Sequence, residues 1–373
     1  MNKPYNIVFV FTYCNRSGPT QQMLNIARHY DRTLFKPIFV TLYPEKEGNS
    51  RYQQYLDAGF EHHYVPMRKL DLFIGNTKAL KEKLEELNPA IIHSLGVLPD
   101  FAISKMHFKC HVITLRNFIF DDYTAWYGKF MGLVLAKLHL YAMKRTRKTW
   151  TCSESLATKY KEKLNLSFEF IQNGVDVERF HTVTTDEKKK LREKLGINQD
   201  KKIFIYTGRL STRKDQEFLL ELFHNREELK EYDLLIMTEG DGFDRLKEVY
   251  CNDHIFMPGF KPNVDEYLQA SDVYISCSKS EGLPNGVLEA MAVGLPVVLS
   301  DIPQHLEVYN ADSNVGKTFK LGDKEDCVKA IQELLDDDIT KMSQVAYSSA
   351  HEYFSDIKMS KKYQSEYLRI IEG

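Results

Sequence analysis

Short runs of β-branched and aromatic residues alternate with longer helix-periodic stretches along all 373 residues, and the alternation starts afresh near residue 200. Strand, helix and strand in succession close most readily as crossovers between parallel strands, so the pattern selects helix-flanked parallel sheets over a sandwich or a bundle. The first series of expected strands is 6–13, 36–43, 62–67, 90–96, 111–116 and 149–153; the second is 202–208, 234–239, 255–258, 273–278 and 296–300. Two series imply two domains. The length favours the same reading, because single hydrophobic cores stop growing at roughly 250–300 residues.

Between the series lie Asn173-Gly174-Val175-Asp176 and then a charged stretch, 184–202, that includes a helix-like run from Asp186 to Leu195; together they are the expected linker. The expected domains are 1–180 and 181–356. The tail 357–373 is helix-periodic with no strand after it, so it is expected to cross back and dock on the first domain. Charge is divided unevenly. Residues 1–175 hold 24 Lys/Arg against 15 Asp/Glu, and 176–373 hold 26 against 37, giving +9 and −11. A basic first half suits an anionic partner, a phospholipid surface or a phosphorylated acceptor; ordinary surface variation between domains gives the same totals.

The stretch 129–148 joins Phe130, Leu133, Val134, Leu135, Leu138 and Leu140 to Lys137, Lys144, Arg145, Arg147 and Lys148. It reads either as a helix lying on a membrane surface or as a sheet-packed helix whose basic end suits its macrodipole. The first apolar run, 7–11, is too short for a signal-peptide core or a membrane span. The six cysteines are scattered, without zinc spacing, as reduced thiols would be. The expected location is the cytoplasm, with peripheral contact at the inner face of the cell membrane. Neither a metal nor another cofactor is expected, and no nucleic-acid partner.

The chemistry concentrates in the second half. After strand 273–278 comes a loop with Glu281 and Gly282, and then Pro284-Asn285 opens a helix that stops at Gly294. Amides at such a helix start lack internal partners and sit at the positive end of the dipole, so they suit a phosphate. Glu281 and Glu289 would then flank a pyrophosphate and accept hydrogen bonds from sugar hydroxyls on either side. Dipole-stabilised surface glutamates would look the same by themselves. More residues agree, however. Strand 202–208 ends at Gly208-Arg209 with Lys214 close behind, two cations suited to a diphosphate. Gly240-Asp241-Gly242 closes the next strand with glycines that permit close backbone approach, and Pro258-Gly259-Phe260 closes the one after.

The ordered set Gly208-Arg209-Leu210 with Lys214, Gly240-Asp241-Gly242, Pro258-Gly259-Phe260, and Glu281 separated by seven residues from Glu289 resembles the retaining glycosyltransferases of family 4, bacterial polysaccharide-assembling members in particular. Asn173-Gly174-Val175-Asp176 with Phe180 is similar to that family's interdomain segment. The resemblance implies a GT-B fold: two facing Rossmann-like, doubly wound α/β domains, with a nucleotide-sugar donor held by the second and the acceptor by the first. It implies that Arg209 and Lys214 contact the donor diphosphate, Glu289 the ribose and Glu281 the transferred sugar. Gly282, Leu283, Pro284, Asn285 and Gly286 would complete the phosphate site, with Gly208, Gly240, Gly242 and Asn173 as further substrate contacts.

In the first half the match thins. Only Gly18 stands where many members have two glycines, and Thr114-Leu115-Arg116-Asn117 stands where many have a histidine. Arg116 and Asn117 are therefore the first-domain catalytic candidates, with an ion-pair role for Arg116 as the alternative. His93, at the end of strand 90–96, is a cleft candidate or a core histidine. The implied activity is transfer of a hexose or N-acetylhexosamine, from UDP more than GDP, to a hydroxyl of a glycan or lipid-linked acceptor with retention and without metal. Two alternatives stand beside it: a nucleotide-sugar epimerase of the same fold, and a catalytically silent nucleotide-sugar-binding partner.

Overall fold

The computed structural model describes residues 3–373. The chain forms two compact units, one running to Gly174 and resuming at Asp356, the other Val175–Ser355. The first change of unit thus falls at Gly174/Val175 rather than at 180.

Among the described residues, the first unit is built on seven strands: β1 (Tyr5–Phe11), β2 (Phe35–Thr41), β3 (Glu61–Tyr64), β4 (Ile91–Ser94), β5 (His111–Leu115), β6 (Lys148–Thr151) and β7 (Glu169–Phe170). They lie in the order β3-β2-β1-β4-β5-β6-β7. The second unit has β8 (Ile203–Thr207), β9 (Asp233–Met237), β10 (Ile255–Phe256), β11 (Val273–Ser276), β12 (Val297–Ser300) and β13 (Gly316–Phe319), in the order β10-β9-β8-β11-β12-β13. The strand pairs in both sheets are parallel. Each unit therefore repeats the doubly wound order 3-2-1-4-5-6, whose winding reverses beside the first strand. Strands covered on both faces must be apolar throughout, and β1 from Ile7 to Phe11 and all of β8 are buried.

Two strands were illegible in the sequence. β7 has two residues, and β13, Gly-Lys-Thr-Phe, carries half its residues polar at a sheet edge. Glycine is what lets β13 pair: a Cβ at Gly316 would lie 1.9 Å from the Val297 carbonyl oxygen.

The charged stretch 184–202 is not a linker. It holds the helix Thr185–Leu195, capped by a Thr184–Glu187 box and seated against the helix Val264–Ala270 within the second unit. Arg192 makes the difference. Only 6% exposed, it donates to the carbonyls of Ala270, Asn198, Gln199 and Lys201 and pairs with Asp272 at 2.6 Å. A guanidinium whose donors are satisfied in this way can be buried, and its sequence context does not distinguish it from a surface arginine.

The tail forms the helix Asp356–Glu372 and packs on the helix Gly18–Arg28 of the first unit. Tyr363 and Tyr367 enter the core there, and Ser360 Oγ donates to the Ile26 carbonyl at 2.6 Å. Of the stretch expected to be one helix over 129–148, residues 129–143 belong to the helix Ile119–Met143, which breaks at Gly128 (φ +75°, ψ 165°), and Lys148 already begins β6. Among the described residues no helix is long and apolar enough to cross a membrane.

Candidate active site

In a doubly wound sheet, loops leaving the carboxyl ends on either side of the reversal point diverge and open a crevice. In the second unit that point lies between β8 and β11. The two loops there, 208–215 and 277–284, are bound to each other. Lys279 donates its backbone N–H to the Arg213 carbonyl at 2.8 Å, and its Nζ meets Asp215 Oδ2 at 2.8 Å. Arg213 donates to the Ser280 carbonyl at 2.6 Å.

At the centre is Glu281, 6% exposed. Its Oε2 accepts from Arg213 at 3.1 Å, and its Oε1 accepts from Ser278 Oγ at 2.8 Å and from Lys214 Nζ. Burial works against the charged carboxylate, but Lys214 and then Arg213 outweigh it and hold the group at about 2. The site thus keeps an ionised carboxylate beneath two cations. His305, fully buried, lies within electrostatic reach and bonds Ser300 and Ser276. Burial holds its imidazole at about 4 against the pull of Glu281, so it is neutral at pH 7.

The helix Asn285–Ala292 starts beside this cluster, with Pro284 as its cap residue. Gly286 sets how closely it approaches the sheet. A Cβ there would lie 2.5 Å from the Tyr274 hydroxyl and 2.8 Å from Thr207 Oγ1, so only glycine lets the helix start sit on the ends of β8 and β11. Gly282, Leu283 and Pro284 are buried, whereas Asn285 and Glu289 are partly exposed. Glu289 follows Asn285 by four residues, roughly 6 Å along the axis, on the turn above the cluster.

The structure brings Lys214 and Glu281 together and adds Arg213, which the sequence reading missed. Nothing in its local pattern separated it from Lys214 beside it. Arg209 is exposed at the end of β8, its carbonyl accepting from Gln216 at 2.9 Å. Gly208 and Gly240 belong to loops that pack backbone to backbone. Gly208 N donates to Met237 O at 3.0 Å and Leu210 N to Glu239 O at 2.8 Å, and a Cβ on Gly240 would meet the Leu210 carbonyl at 3.3 Å. Gly242, at φ +86°, caps the helix Phe243–Tyr250. Loop packing and capping account for these glycines' conformations.

In the first unit, Gly18 opens the helix Gly18–Arg28 behind a Ser17–Thr20 capping box. Arg116, just past β5, donates to Asn173 Oδ1 at 2.5 Å, so these two candidates are joined. The Asn117 carbonyl accepts from the Tyr160 hydroxyl at 3.1 Å. His93 is corrected. It is wholly buried, with Nδ1 on the Tyr367 hydroxyl at 2.6 Å, Nε2 on Thr114 Oγ1 at 3.0 Å, and Phe9, Trp150 and Tyr363 around the ring. Both nitrogens are used inside the core, which leaves none for a substrate. Gln22 and Asn25 are a second omission. Gln22 accepts from the Gly174 N–H at 3.0 Å and donates to its carbonyl at 2.8 Å, and Asn25 donates to the same carbonyl at 3.2 Å.

The chain is similar to known proteins over part or all of its length. Residues 187–351 match the family Glycosyl transferases group 1. A putative glycosyltransferase EpsD of Bacillus subtilis (strain 168) is 32% identical over 167 residues, a match spanning 43% of either chain. A UDP-Gal:alpha-D-GlcNAc-diphosphoundecaprenol alpha-1,3-galactosyltransferase of Escherichia coli is 25% identical over 339 residues, 85% of this chain and 86% of its own. The crystal structure of Anabaena HepE with UDP and glucose superposes with a TM-score of 0.78 at 16% identity, over 97% of this chain and 99% of that one. The second unit's loops, with their buried glutamate and paired cations, therefore stand in a glycosyl transferases group 1 domain, and the chain as a whole has the GT-B fold.

Proposed function

We propose that the chain transfers a hexose or N-acetylhexosamine from a nucleotide diphosphate sugar, UDP in preference to GDP, to a hydroxyl of a glycan or lipid-linked acceptor in surface polysaccharide or glycoconjugate synthesis, with retention at the anomeric carbon. The observation that carries the reading is the Lys214–Glu281–Arg213 cluster at the reversal point of the second sheet, beside a helix start. The names of the relatives support the substrate class: one carries a diphosphoundecaprenol acceptor in its name, and the structural neighbour was solved with UDP.

In this reading the bond from the anomeric carbon to the diphosphate oxygen breaks as the acceptor oxygen bonds to the same face. The acceptor's proton passes to the departing phosphate oxygen, so no protein base is needed. Negative charge grows on the leaving group. Lys214, Arg213 and Arg209, with the positive end of the helix Asn285–Ala292, would meet that charge, and the step as written calls for no metal. Lys214 and Arg213 would exchange Glu281 for phosphate oxygens, which releases the carboxylate to accept from a hydroxyl of the transferred sugar. Glu289, one turn up the helix, is assigned to the ribose. In the first unit Arg116, Asn117 and Gly18 are assigned to the acceptor side.

The test is calorimetric titration with UDP-glucose, UDP-N-acetylglucosamine, GDP-mannose and the free nucleotides. Lys214→Ala and Glu289→Ala are expected to weaken donor binding at least tenfold, and Glu281→Ala to lower turnover more than binding. Unchanged donor affinity in the first two variants would sink the assignment. Donor incubated without acceptor separates the alternatives: an epimerised sugar supports the epimerase, and the absence of nucleotide release with every acceptor supports the silent partner.

A further inference from the structure

The break at Gly128 makes a knee. A Cβ on Gly132 would lie 2.5 Å from Thr124 Cα, so the limb after the break crosses closely over the limb before it. Tyr123 and His139 bind the limbs further, hydroxyl to Nδ1 at 2.6 Å with the rings stacked 5.9 Å apart. The limb after the break buries Gly132, Leu135, Ala136, His139, Ala142 and Met143 as one stripe at helical spacing. Its hydrophobic obligation to the fold is met by that stripe.

The knee nevertheless exposes Trp126 (53%), Tyr127 (58%), Phe130 (81%), Met131 (47%) and Leu133 (37%) within eight positions. Contiguous exposure of that kind marks an interaction surface. The cations are arranged around it. Lys129 stands in the knee, and Lys137, Lys144, Arg145 and Arg147 are exposed along and beyond the outgoing limb. Lys137 lies roughly 10 Å from Phe130 along the axis and Lys144 roughly 21 Å.

We propose that this knee is a wedge that seats the first unit on an anionic lipid bilayer, with Phe130 and Met131 dipping below the headgroups and Lys129 and Lys137 at phosphate level. Trp126 and Tyr127 have the amphipathic rings that favour that interface. Stable membrane anchoring generally takes two signals, such as an apolar insertion and a basic patch, and the knee supplies both. A second copy is a poor occupant, since self-pairing of this face would set Lys129 and Lys137 against their counterparts.

The position is also apt. β5 and β6 are parallel neighbours, so the connection between them leaves at the carboxyl end of β5 and must run back along the sheet to begin β6. The limb after Gly128 makes that return, which leaves the knee at the carboxyl end, where Gly18, Arg116 and Asn173 follow their strands. A bilayer docked there would bring a lipid-linked acceptor to that end of the first sheet. Only this last point rests on the function proposed above; the docking itself does not.

The chain provides its own reporter, because it has two tryptophans and Trp150 is fully buried. Full-length protein is mixed with phosphatidylcholine vesicles with or without phosphatidylglycerol, and co-sedimentation and tryptophan emission are read. Phosphatidylglycerol vesicles are expected to bind the protein and shift Trp126 emission to the blue. Phe130→Ser is expected to cut the partition coefficient about tenfold or more, and Lys137→Glu to remove most of the salt-sensitive part. Both positions are exposed, and an unchanged melting temperature establishes that the variants fold. Binding that ignores Phe130→Ser, an emission maximum indifferent to anionic vesicles, or concentration-dependent self-association abolished by Phe130→Ser would each overturn the proposal. Donor titration is independent of these outcomes.

Discussion

Replacing Glu281 by Gln isolates the charge at the centre of the candidate site while keeping its shape. Glu281 is held at about 2 instead of its ordinary 4.5, against the cost of burial. A carboxyl so displaced contributes about 3 kcal/mol of stability at neutral pH. Its partners keep some water, with Lys214 19% and Arg213 26% exposed, so part of their own interaction is recovered by solvent when the charge is lost. Ser278 can still donate to the amide oxygen. The expected loss is about 2–3 kcal/mol for the second unit, or about 4–10 °C in its melting temperature.

The pH dependence tests the cause. A depressed carboxyl stabilises fully above its unfolded value and loses that contribution as pH falls through its folded one. The gap between wild type and Glu281→Gln should therefore be widest above pH 4.5, shrink to about half or less by pH 3, and vanish below about 2. Scanning calorimetry from pH 7 to pH 3 reads it, following the transition of the second unit. A gap that stays constant across that range would refute the ion pairs as its source, and so would the absence of a gap at pH 7.

Further outcomes are open to measurement. Gly286→Ala places a methyl 2.5 Å from the buried Tyr274 hydroxyl, and is expected to cost about 1–3 kcal/mol in urea unfolding; wild-type stability would show that the helix start can lift off the sheet. Burial holds His111 and His305 at about 4, so both stay neutral where an unfolded chain would protonate them. That stability is complete above pH 6.5 and is lost progressively as pH falls towards 4; His305→Asn should flatten this slope for the second unit, and an unaltered slope would place its origin elsewhere. Gln22→Ala removes both hydrogen bonds to Gly174 and should cost about 1–3 kcal/mol while speeding amide exchange at Gly174; slow exchange in the variant would mean that the neighbouring contacts suffice.

Legibility in the sequence followed the physics of each element. β1 and β8 announced themselves because strands covered on both faces must be apolar throughout. β13 did not, since an edge strand tolerates Lys317 and Thr318 and its pairing depends on a glycine whose crowding exists only in three dimensions. The 184–202 stretch looked like a linker because charge is a surface signal on average, and Arg192 is buried only by carbonyls that the fold delivers to it. His93 was undecided for the same reason: its strand end was readable, but the two tyrosines that come to it, Tyr363 and Tyr367, lie 270 and 274 residues later in one helix, beyond any local pattern.

The sequence by itself determined two parallel α/β units and marked Lys214, Glu281 and Glu289 as candidate site residues, because strand periodicity, helix starts and glycine placement are local properties. The tertiary structure decided what those residues do to one another. It sank Glu281 beneath Lys214 and brought in Arg213, used both nitrogens of His93 in the core, and folded 119–143 into an exposed knee. Each is a contact between loops, strands or helical limbs whose approach is set by packing, and packing depends on the whole chain.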